Sequence, residues 1–260
     1  MLFKDHVVIV TGAGSGIGES CARRFASEGA CVVIAELRET EGEQAADRIN
    51  RQFGGRSGGV PAALFVRCDV SHEAEIARLM ERTLLTFGRL DVLVNNAAVI
   101  MPHPIERIDE EGLDLVLDVN VKGAFLLIKH AAEPLKRSKG SIVNIASLGG
   151  LTGQKNNPAY TASKGAVIAL TKSLALDFAQ GGVRVNCVCP AGVRTPLLEA
   201  WTARQDDPAR TARELGEMHP LGRLAEPDEI ASAVLFLAGR QASFITGAAL
   251  PVDGGASLGY

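Results

Sequence analysis

The sequence lacks the features that mark several classes of protein. No apolar run approaches the roughly 18 residues of a membrane-spanning helix. The N-terminus runs through a short polar stretch into an apolar one, without a signal-peptide pattern. Neither sign of charge is in large excess, because 27 basic and 30 acidic residues give a formal charge of −3. We therefore expect neither a nucleic acid nor a membrane as a partner.

Cysteine and metal-ligand patterns are absent as well. The five cysteines are odd in number and include no CxxC pair. Cys187 and Cys189 stand two apart in an apolar run, so a strand would place both on one face. We interpret the cysteines as small buried hydrophobic residues in a reducing compartment, and we predict a cytoplasmic protein. No cluster of carboxylates and histidines has metal-ligand spacing, so no catalytic metal is expected.

What the sequence does contain is an alternation of short apolar runs and helical stretches. Strands that are apolar on both faces and separated by helices indicate a parallel sheet covered on both sides. We therefore predict a single doubly wound α/β domain over residues 1–260, whose ligands bind beyond the carboxyl ends of the strands. The seven strands are predicted near 7–10, 31–35, 62–67, 91–94, 141–145, 183–188 and 248–252, with helices near 17–27, 40–53, 72–87, 110–136, 158–179 and 226–238.

Two segments interrupt this alternation. Residues 54–59 are rich in glycine and predict a flexible loop. Residues 195–222 contain Trp201 and mixed charges, and we name them the substrate loop because we expect them to cover or bind the substrate. His103 and His219 lie near the expected pocket and are candidates for substrate contact, although a histidine in a loop is usually only solvated.

A glycine-rich turn lies directly between the first strand and the first helix, in Thr11-Gly12-Ala13-Gly14-Ser15-Gly16-Ile17-Gly18. Glycines allow a tight turn there and let backbone N–H groups approach a pyrophosphate at the helix N-terminus. Glycine is common in turns for conformational reasons alone. Its position between a strand and a helix nevertheless favours a dinucleotide-binding loop.

An acidic residue closes the second strand. Glu36 lies 18 residues after Gly18 (36 − 18), close to the ~20 residues at which dinucleotide folds place a ribose-binding acid. A carboxylate at this point accepts hydrogen bonds from the adenosine ribose hydroxyls and repels a 2′-phosphate. Arg38, two residues on, is the one opposing charge. The sequence therefore predicts NAD rather than NADP as the cofactor.

Tyr160 and Lys164 stand four residues apart at the start of a predicted helix. Asn157 is a suitable N-cap, Pro158 fits the first helical position, and the spacing places Tyr160 and Lys164 on one face. A nearby positive charge favours the phenolate and lowers a tyrosine pKa from about 10. Most YxxxK pairs are solvated helix surface, so this interpretation depends on the rest of the chain.

Eight motifs in the same order resemble the short-chain dehydrogenase/reductase family, which has a Rossmann fold. The resemblance extends from Thr11 to Gly255. Two positions depart from the family pattern, because Ala98 and Ala191 replace glycines; alanine would strain the backbone if φ is positive there. The motifs are Thr11 to Gly18, Asp69-Val70, Asn95-Asn96-Ala97-Ala98, Asn120 in Val-Asn-Val-Lys-Gly, Ser147 after the fifth strand, Tyr160 with Lys164, Pro190 to Pro196, and Val252 to Gly255.

The resemblance implies a role for each residue of a catalytic set. Tyr160 would be the base in oxidation and the acid in reduction, and Ser147 would hold the substrate oxygen. Lys164 would bond the nicotinamide ribose and lower the pKa of the tyrosine. Asn120 would kink its helix and hold a water that links Lys164 to solvent.

The resemblance also implies a set of cofactor contacts. Asp69 would bind the adenine amine, and Ile145 would lie near the nicotinamide. Thr195 and the backbone of Val193 would bind the carboxamide. The full implied set is Gly12, Ser15, Gly16, Ile17, Gly18, Glu36, Asp69, Val70, Asn96, Ala97, Ala98, Ile145, Tyr160, Lys164, Pro190, Val193 and Thr195.

Three functions remain open at this point. The first is an NAD-dependent dehydrogenase of a secondary alcohol, polyol or hydroxylated ring compound. The second is an NADPH-dependent reductase of a carbonyl or 3-oxoacyl thioester, against which Glu36 weighs. The third is a nucleotide-sensing protein without chemistry, which the intact catalytic set disfavours.

The predicted assembly is a homotetramer. Helices near 110–136 and 158–179 contain apolar stretches longer than one sheet-facing side requires, and the remainder would be an exposed apolar patch in a monomer. Relatives in the family commonly pack these two helices against symmetry mates.

Overall fold

The computed structural model describes residues 1–54 and 59–258. Residues 55–58, which fall in the predicted flexible loop, and residues 259–260 lie outside the described part. The strands are β1 (Val7–Thr11), β2 (Cys31–Glu36), β3 (Ala63–Arg67), β4 (Val92–Asn95), β5 (Ser141–Ile145), β6 (Arg184–Pro190) and β7 (Ala249–Val252).

The strands form one parallel sheet in the order β3-β2-β1-β4-β5-β6-β7. The predicted seven-stranded parallel sheet is therefore confirmed. The order reverses between β1 and β4, where successive crossovers leave for opposite sides and open a crevice at the carboxyl ends of the strands.

Ten α-helices occur in the described ranges. Those of the alternating pattern are α1 (Gly16–Ser27), α2 (Glu39–Phe53), α3 (Glu73–Phe87), α4 (Glu110–Leu117), α5 (Gly123–Ser138), α7 (Pro158–Phe178) and α10 (Pro227–Ala238). Three shorter helices lie in connecting segments: α6 (Gly149–Thr152), α8 (Pro196–Thr202) and α9 (Pro208–Glu217).

The core has two layers because successive strand residues face opposite sides of the sheet. Val8 and Val10 of β1 belong to the cluster that includes residues of α1 and α10. Ile9, between them, belongs to the opposite cluster, which includes residues of α3, α5 and α7. All five residues of β1 are buried, which explains its unbroken apolar pattern.

The helix predicted near 110–136 is not continuous. A π-helical turn at Asp118–Lys122 separates α4 from α5 and contains the buried Asn120. Such turns distort the regular backbone ladder and are frequent at functional sites. The predicted kink at Asn120 is thus present as a π-turn.

The substrate loop is largely helical. Helices α8 and α9 each begin with proline, and Thr195 and Asp207 cap them by accepting hydrogen bonds from Leu198 N and Arg210 N. Capping side chains and proline at the first position favour helix starts. Neither helix contains a buried residue, so these two helices lie on the body of the protein without entering its core.

Within the described ranges, no helix combines the length and the hydropathy that a bilayer crossing needs.

Candidate active site

The site is built where the strands end. The turns after β1, β4, β5 and β6 meet at the edge of the sheet on either side of the β1/β4 switch point. Ligands of doubly wound folds bind in this crevice.

The glycine loop has the shape of a phosphate cradle. Gly12 and Gly16 have φ values of +60° and +58°, which favour glycine. A Cβ atom at Gly12 would lie 3.0 Å from the Ala97 Cα atom, and one at Gly16 would lie 3.3 Å from the Thr195 methyl group. Ser15 is the N-cap of α1 but makes no side-chain cap. The first N–H groups of the helix therefore remain for an anionic ligand, as a dinucleotide pyrophosphate would require.

Asn96 fixes this loop from the neighbouring strand. Its side-chain amide donates to Thr11 O at 2.9 Å and to Gly12 O at 3.0 Å. The Thr11 hydroxyl oxygen accepts from the backbone N–H groups of Asn96 and Ala97, both at 3.0 Å. The Asn96 side chain thus holds the loop, which the sequence-based interpretation of this residue did not include.

Glu36 closes the adenosine side of the crevice. It is 7% exposed, and its two carboxylate oxygens accept from Gly14 N and Arg38 N, each at 3.1 Å. The Arg38 guanidinium lies 3.0 Å from a Glu41 oxygen and 3.5 Å from a Glu36 oxygen. Two carboxylates therefore offset the one positive charge that opposed the predicted preference for NAD.

Asp69 and Val70 follow β3 at the same edge. One oxygen of Asp69 accepts from the backbone N–H and the hydroxyl of Ser71, at 2.9 and 2.6 Å. Val70 is buried, and Gly123 leaves room for it, because a Cβ there would lie 3.0 Å from a Val70 methyl group. Asp69 remains partly exposed beside the crevice.

The catalytic candidates converge beyond β5. Ser147 follows this strand, and Tyr160 and Lys164 lie on the first turns of α7. Lys164 is 3% exposed, and its Nζ donates to the Ile145 carbonyl at 2.6 Å. The same Nζ is 5.6 Å from the centre of the Tyr160 ring, and the Tyr160 and Ser147 side chains are hydrogen-bonded. The predicted grouping of Ser147, Tyr160 and Lys164 is therefore present in the structure.

Burial governs the pKa values of this pair. Burial raises the pKa of Tyr160 above its ordinary value, and the hydrogen bond with Ser147 opposes the rise without cancelling it. Burial lowers the pKa of Lys164 to about 8. In the protein alone, desolvation therefore disfavours the phenolate more than its surroundings favour it, and the lowering of the tyrosine pKa by Lys164 stays a prediction.

Asn120 joins the π-turn to the segment after β4. It is 2% exposed; its oxygen accepts from Val99 N at 2.8 Å, and its nitrogen donates to Val99 O at 2.9 Å and Ser163 Oγ at 3.0 Å. A cavity of about 10 Å³ is lined by Asn120, Asn95 and Lys164, among others, which is about the space that one water needs. Asn95 was not predicted here, and its Oδ1 atom is buried without a hydrogen-bond partner.

The segment after β6 completes the crevice. Pro190 O accepts from Leu148 N at 2.8 Å, and Val193 forms a parallel bridge with Ala225. Thr195 lies against the glycine loop and caps α8. Neither Ala98 nor Ala191 is among the residues with positive φ, so replacing the family glycine strains neither position.

Of three further side chains, two differ from expectation. His219 is buried, and both ring nitrogens have protein partners, Gly192 N at 3.1 Å and Leu215 O at 2.8 Å. Neither ring nitrogen is therefore free to bind a substrate. Asn157 is the N-cap residue of α7, but its side chain makes no cap and donates instead to Gln154 Oε1 at 3.1 Å. His103 is exposed in its loop.

The interpretation of the cysteines as buried hydrophobic residues is confirmed. All five are buried thiols, and Cys187 and Cys189 lie together against α7. Among the residues that the structure describes, no group of three or more His, Cys, Asp or Glu side chains could hold a metal ion.

The buried ammonium of Lys164 predicts a conflict between stability and chemistry. A fall in pKa from 10.5 to about 8 corresponds to about 3 kcal/mol that disfavours folding below pH 8. The unfolded chain binds this proton more tightly, so the penalty shrinks as pH rises from 8 to 10.5. We expect Lys164→Met to raise the free energy of unfolding at pH 7 by about 2 kcal/mol. Removing the buried charge stabilises the fold by about 3 kcal/mol, and leaving the Ile145 carbonyl without its donor destabilises it by about 1 kcal/mol.

Urea unfolding at pH 7 and pH 9.5 would measure this effect, with Lys172→Met as the control because Lys172 is exposed on the same helix. A Lys164→Met protein no more stable than the wild type at pH 7 would contradict the prediction.

Comparison with known proteins agrees with this geometry. A family model described as enoyl-(acyl carrier protein) reductase matches residues 12–257. The chain is 44% identical to an L-fucose dehydrogenase of Bos taurus, over 99% of this chain and 92% of the relative. It is 39% identical to a meso-2,3-butanediol dehydrogenase of Serratia marcescens, over 99% and 96% of the two chains.

A solved structure has the same fold. The 3-ketoacyl-(acyl-carrier-protein) reductase from Brucella melitensis, complexed with NADH, superposes with a TM-score of 0.88 at 36% identity, covering 98% of this chain and 99% of that one. The matches span nearly the whole chain, and the motifs that carried the resemblance lie together at one edge of the sheet. The chain therefore belongs to the short-chain dehydrogenase/reductase family and is an oxidoreductase of its secondary-alcohol dehydrogenase type.

Proposed function

We propose that this enzyme oxidises a secondary alcohol to a ketone with NAD⁺ and catalyses the reverse reduction with NADH. The observation that carries the proposal is the convergence of Ser147, Tyr160 and Lys164 beyond β5, next to a glycine loop shaped for a dinucleotide. Residues 1–260 would act as one dinucleotide-binding and catalytic unit, with the substrate loop at 195–222 covering the alcohol.

The residues at the crevice fit such a cofactor. The first turn of α1 would bind the pyrophosphate, and Glu36 would bind the adenosine ribose. Asp69 would bind the adenine amine, and Val193 and Thr195 would bind the carboxamide. The remaining contacts would come from Gly12, Ser15, Gly16, Ile17, Gly18, Val70, Asn96, Ala97, Ala98, Ile145, Tyr160, Lys164 and Pro190.

Side chains of the protein would accept and transfer the proton of the alcohol. The Ser147 hydroxyl would hold the substrate oxygen next to Tyr160, and Tyr160 would take the alcohol proton as general base. The bound nicotinamide would supply the hydride acceptor at the same carbon. Lys164 would stabilise the phenolate that Tyr160 must form before it accepts this proton, and the small cavity between Lys164 and Asn120 has room for a water that passes the proton toward solvent.

The preference for NAD rests on the charges around Glu36. A 2′-phosphate would meet a buried carboxylate that is already bonded to the glycine loop at Gly14. Arg38, the basic residue that follows β2, is engaged by Glu36 and Glu41. Repulsion therefore outweighs attraction at this point.

The substrate is proposed to be a polyol or hydroxylated ring compound. The names of two relatives point to L-fucose and meso-2,3-butanediol as their substrates, and both molecules carry hydroxyl groups on adjacent carbons. Reduction of a 3-oxoacyl thioester is the second candidate, because the Brucella relative is named a 3-ketoacyl-(acyl-carrier-protein) reductase. The ratio of kcat/KM for a polyol with NAD⁺ to that for a 3-oxoacyl thioester with NADPH separates the two, and a protein inactive with both would favour a nucleotide-sensing role.

We further propose a cytoplasmic homotetramer. The five buried thiols suit a reducing compartment. Large apolar side chains are exposed on the two helices named from the sequence, including Phe125 on α5 at 53% and Leu176 on α7 at 80%. Phe244, before β7, is fully exposed. Patches of this kind mark interfaces, and four equal chains commonly close with two-fold axes.

Removing the Tyr160 hydroxyl tests the catalytic proposal. Tyr160→Phe keeps the ring in place but removes the proton acceptor, whose contribution is typically 10²–10⁴-fold. We expect kcat to fall by at least about 100-fold, while NADH binding, followed by fluorescence, stays within about twofold. A variant that keeps more than about a tenth of the wild-type kcat would refute Tyr160 as the general base.

Exchanging Glu36 tests the cofactor proposal. Glu36→Ser should shift the ratio of kcat/KM for NAD to that for NADP toward NADP, because the repelling carboxylate is lost and Arg38 is released. Glu39→Ser is the matched control, since Glu39 is exposed three residues further on. A wild-type ratio that already favours NADP would show that the charge balance around Arg38 has been misjudged.

Mass measurement tests the assembly. Light scattering should give about four times the 27.4 kDa of one chain at micromolar concentration, and Phe125→Asp with Leu176→Asp should lower the mass by placing charge in the contact. A wild-type mass near 27.4 kDa would mean that these side chains stay exposed to water.

A further inference from the structure

His219 is the one buried residue of the substrate loop. Helices α8 and α9 of the substrate loop bury none of their residues, yet His219, two residues after α9, is 2% exposed. A polar side chain that is buried at this point needs hydrogen-bond partners on both ring nitrogens.

The two partners define the state of the ring. The Leu215 carbonyl, 2.8 Å from Nδ1, can only accept a hydrogen bond. The Gly192 backbone N–H, 3.1 Å from Nε2, can only donate one. The ring is therefore neutral with its proton on Nδ1, since this is the one form that satisfies both contacts. Leu215 lies in the last turn of α9, whose carbonyl groups lack partners within the helix.

The Gly192 contact reaches the segment that is proposed to bind the carboxamide. Gly192 O accepts from Ala225 N at 3.0 Å, and Val193 continues that pairing. A Cβ at Gly192 would lie 2.9 Å from His219 Cε1, so glycine is needed for the ring to approach so closely. One imidazole thus joins the end of the substrate loop to the backbone beside Val193 and Thr195.

We propose that His219 is a positioning residue that couples the substrate loop to the cofactor segment at 190–195. This inference rests on the proposed function, because it assigns that segment to the nicotinamide carboxamide. The ring holds the end of α9 through Leu215 and the cofactor segment through Gly192. Loss of the Gly192 bond disconnects the end of α9 from the cofactor segment. Cofactor affinity and the position of the substrate loop therefore change together.

Three substitutions separate the two hydrogen bonds. His219→Asn keeps an amide near the Nδ1 position, where it can still donate to Leu215 O, but it cannot reach Gly192. His219→Gln places an acceptor near the Nε2 position and retains a donor. His219→Leu removes both bonds at similar volume. The matched control is Gln205→Leu, because the Gln205 amide donates to Trp201 O at 2.9 Å, wholly inside the substrate loop.

Two measurements follow the two sides of the coupling. Limited trypsin digestion without cofactor reports the loop, which exposes Arg204, Arg210 and Arg213. NADH titration followed by the fluorescence of the bound nicotinamide reports the cofactor segment. We expect His219→Asn and His219→Leu to be cut several-fold faster and to bind NADH about tenfold more weakly, as for a lost buried hydrogen bond. His219→Gln should restore both values toward those of the wild type, and Gln205→Leu should leave NADH affinity unchanged.

The outcomes distinguish this inference from the function on which it rests. Wild-type cleavage rates in folded His219→Asn would overturn the coupling, and so would faster cleavage with unchanged NADH affinity. If His219→Leu fails to fold, the comparison of Asn with Gln still decides, because equal behaviour of these two variants also overturns the proposal. A wild-type protein that binds neither NADH nor NADPH would refute the proposed function itself, whatever the digestion shows.

Discussion

The bond from the Lys164 ammonium to the Ile145 carbonyl sets the arrangement of the site. It ties α7 to the carboxyl end of β5 and holds a cation where almost no water reaches it. Burial of this charge opposes folding, so the remaining interactions of the protein must offset this free-energy penalty. Tyr160 is positioned four residues earlier on the same helix, and its hydrogen bond to Ser147 links α7 to the turn after β5.

Hydrogen bonds between neighbouring strand ends hold the rest of the crevice around this bond. Asn96 reaches from β4 to the glycine loop after β1, and Asn120 reaches from the π-turn to the segment after β4. Each of these side chains satisfies backbone groups that irregular segments leave unpaired. Because the strands are parallel, all of these irregular segments end at one edge, and a few amide side chains suffice to organise them.

The substrate loop is organised on a different principle. Its two helices contribute no buried residue, so the loop is held at its ends rather than through a core of its own. Thr195 holds the first end against the glycine loop, and His219 holds the second end against Gly192. Segments with few buried contacts have low local stability, and we therefore expect the part between these two ends to be the less stable part of the site.

Much of this protein was determined by local patterns in its sequence. The spacing of apolar runs predicts seven parallel strands, a carboxylate at Glu36 closes the second, and helical spacing places Tyr160 and Lys164 on one face. Such features depend on residues close together in the chain. The pKa of Tyr160, the partners of Asn120 and the burial of His219 were decided only by tertiary structure. Desolvation and hydrogen bonding at these positions come mainly from residues distant in sequence. A histidine in a polar loop gives no local sign that the Gly192 N–H will donate a hydrogen bond to its ring.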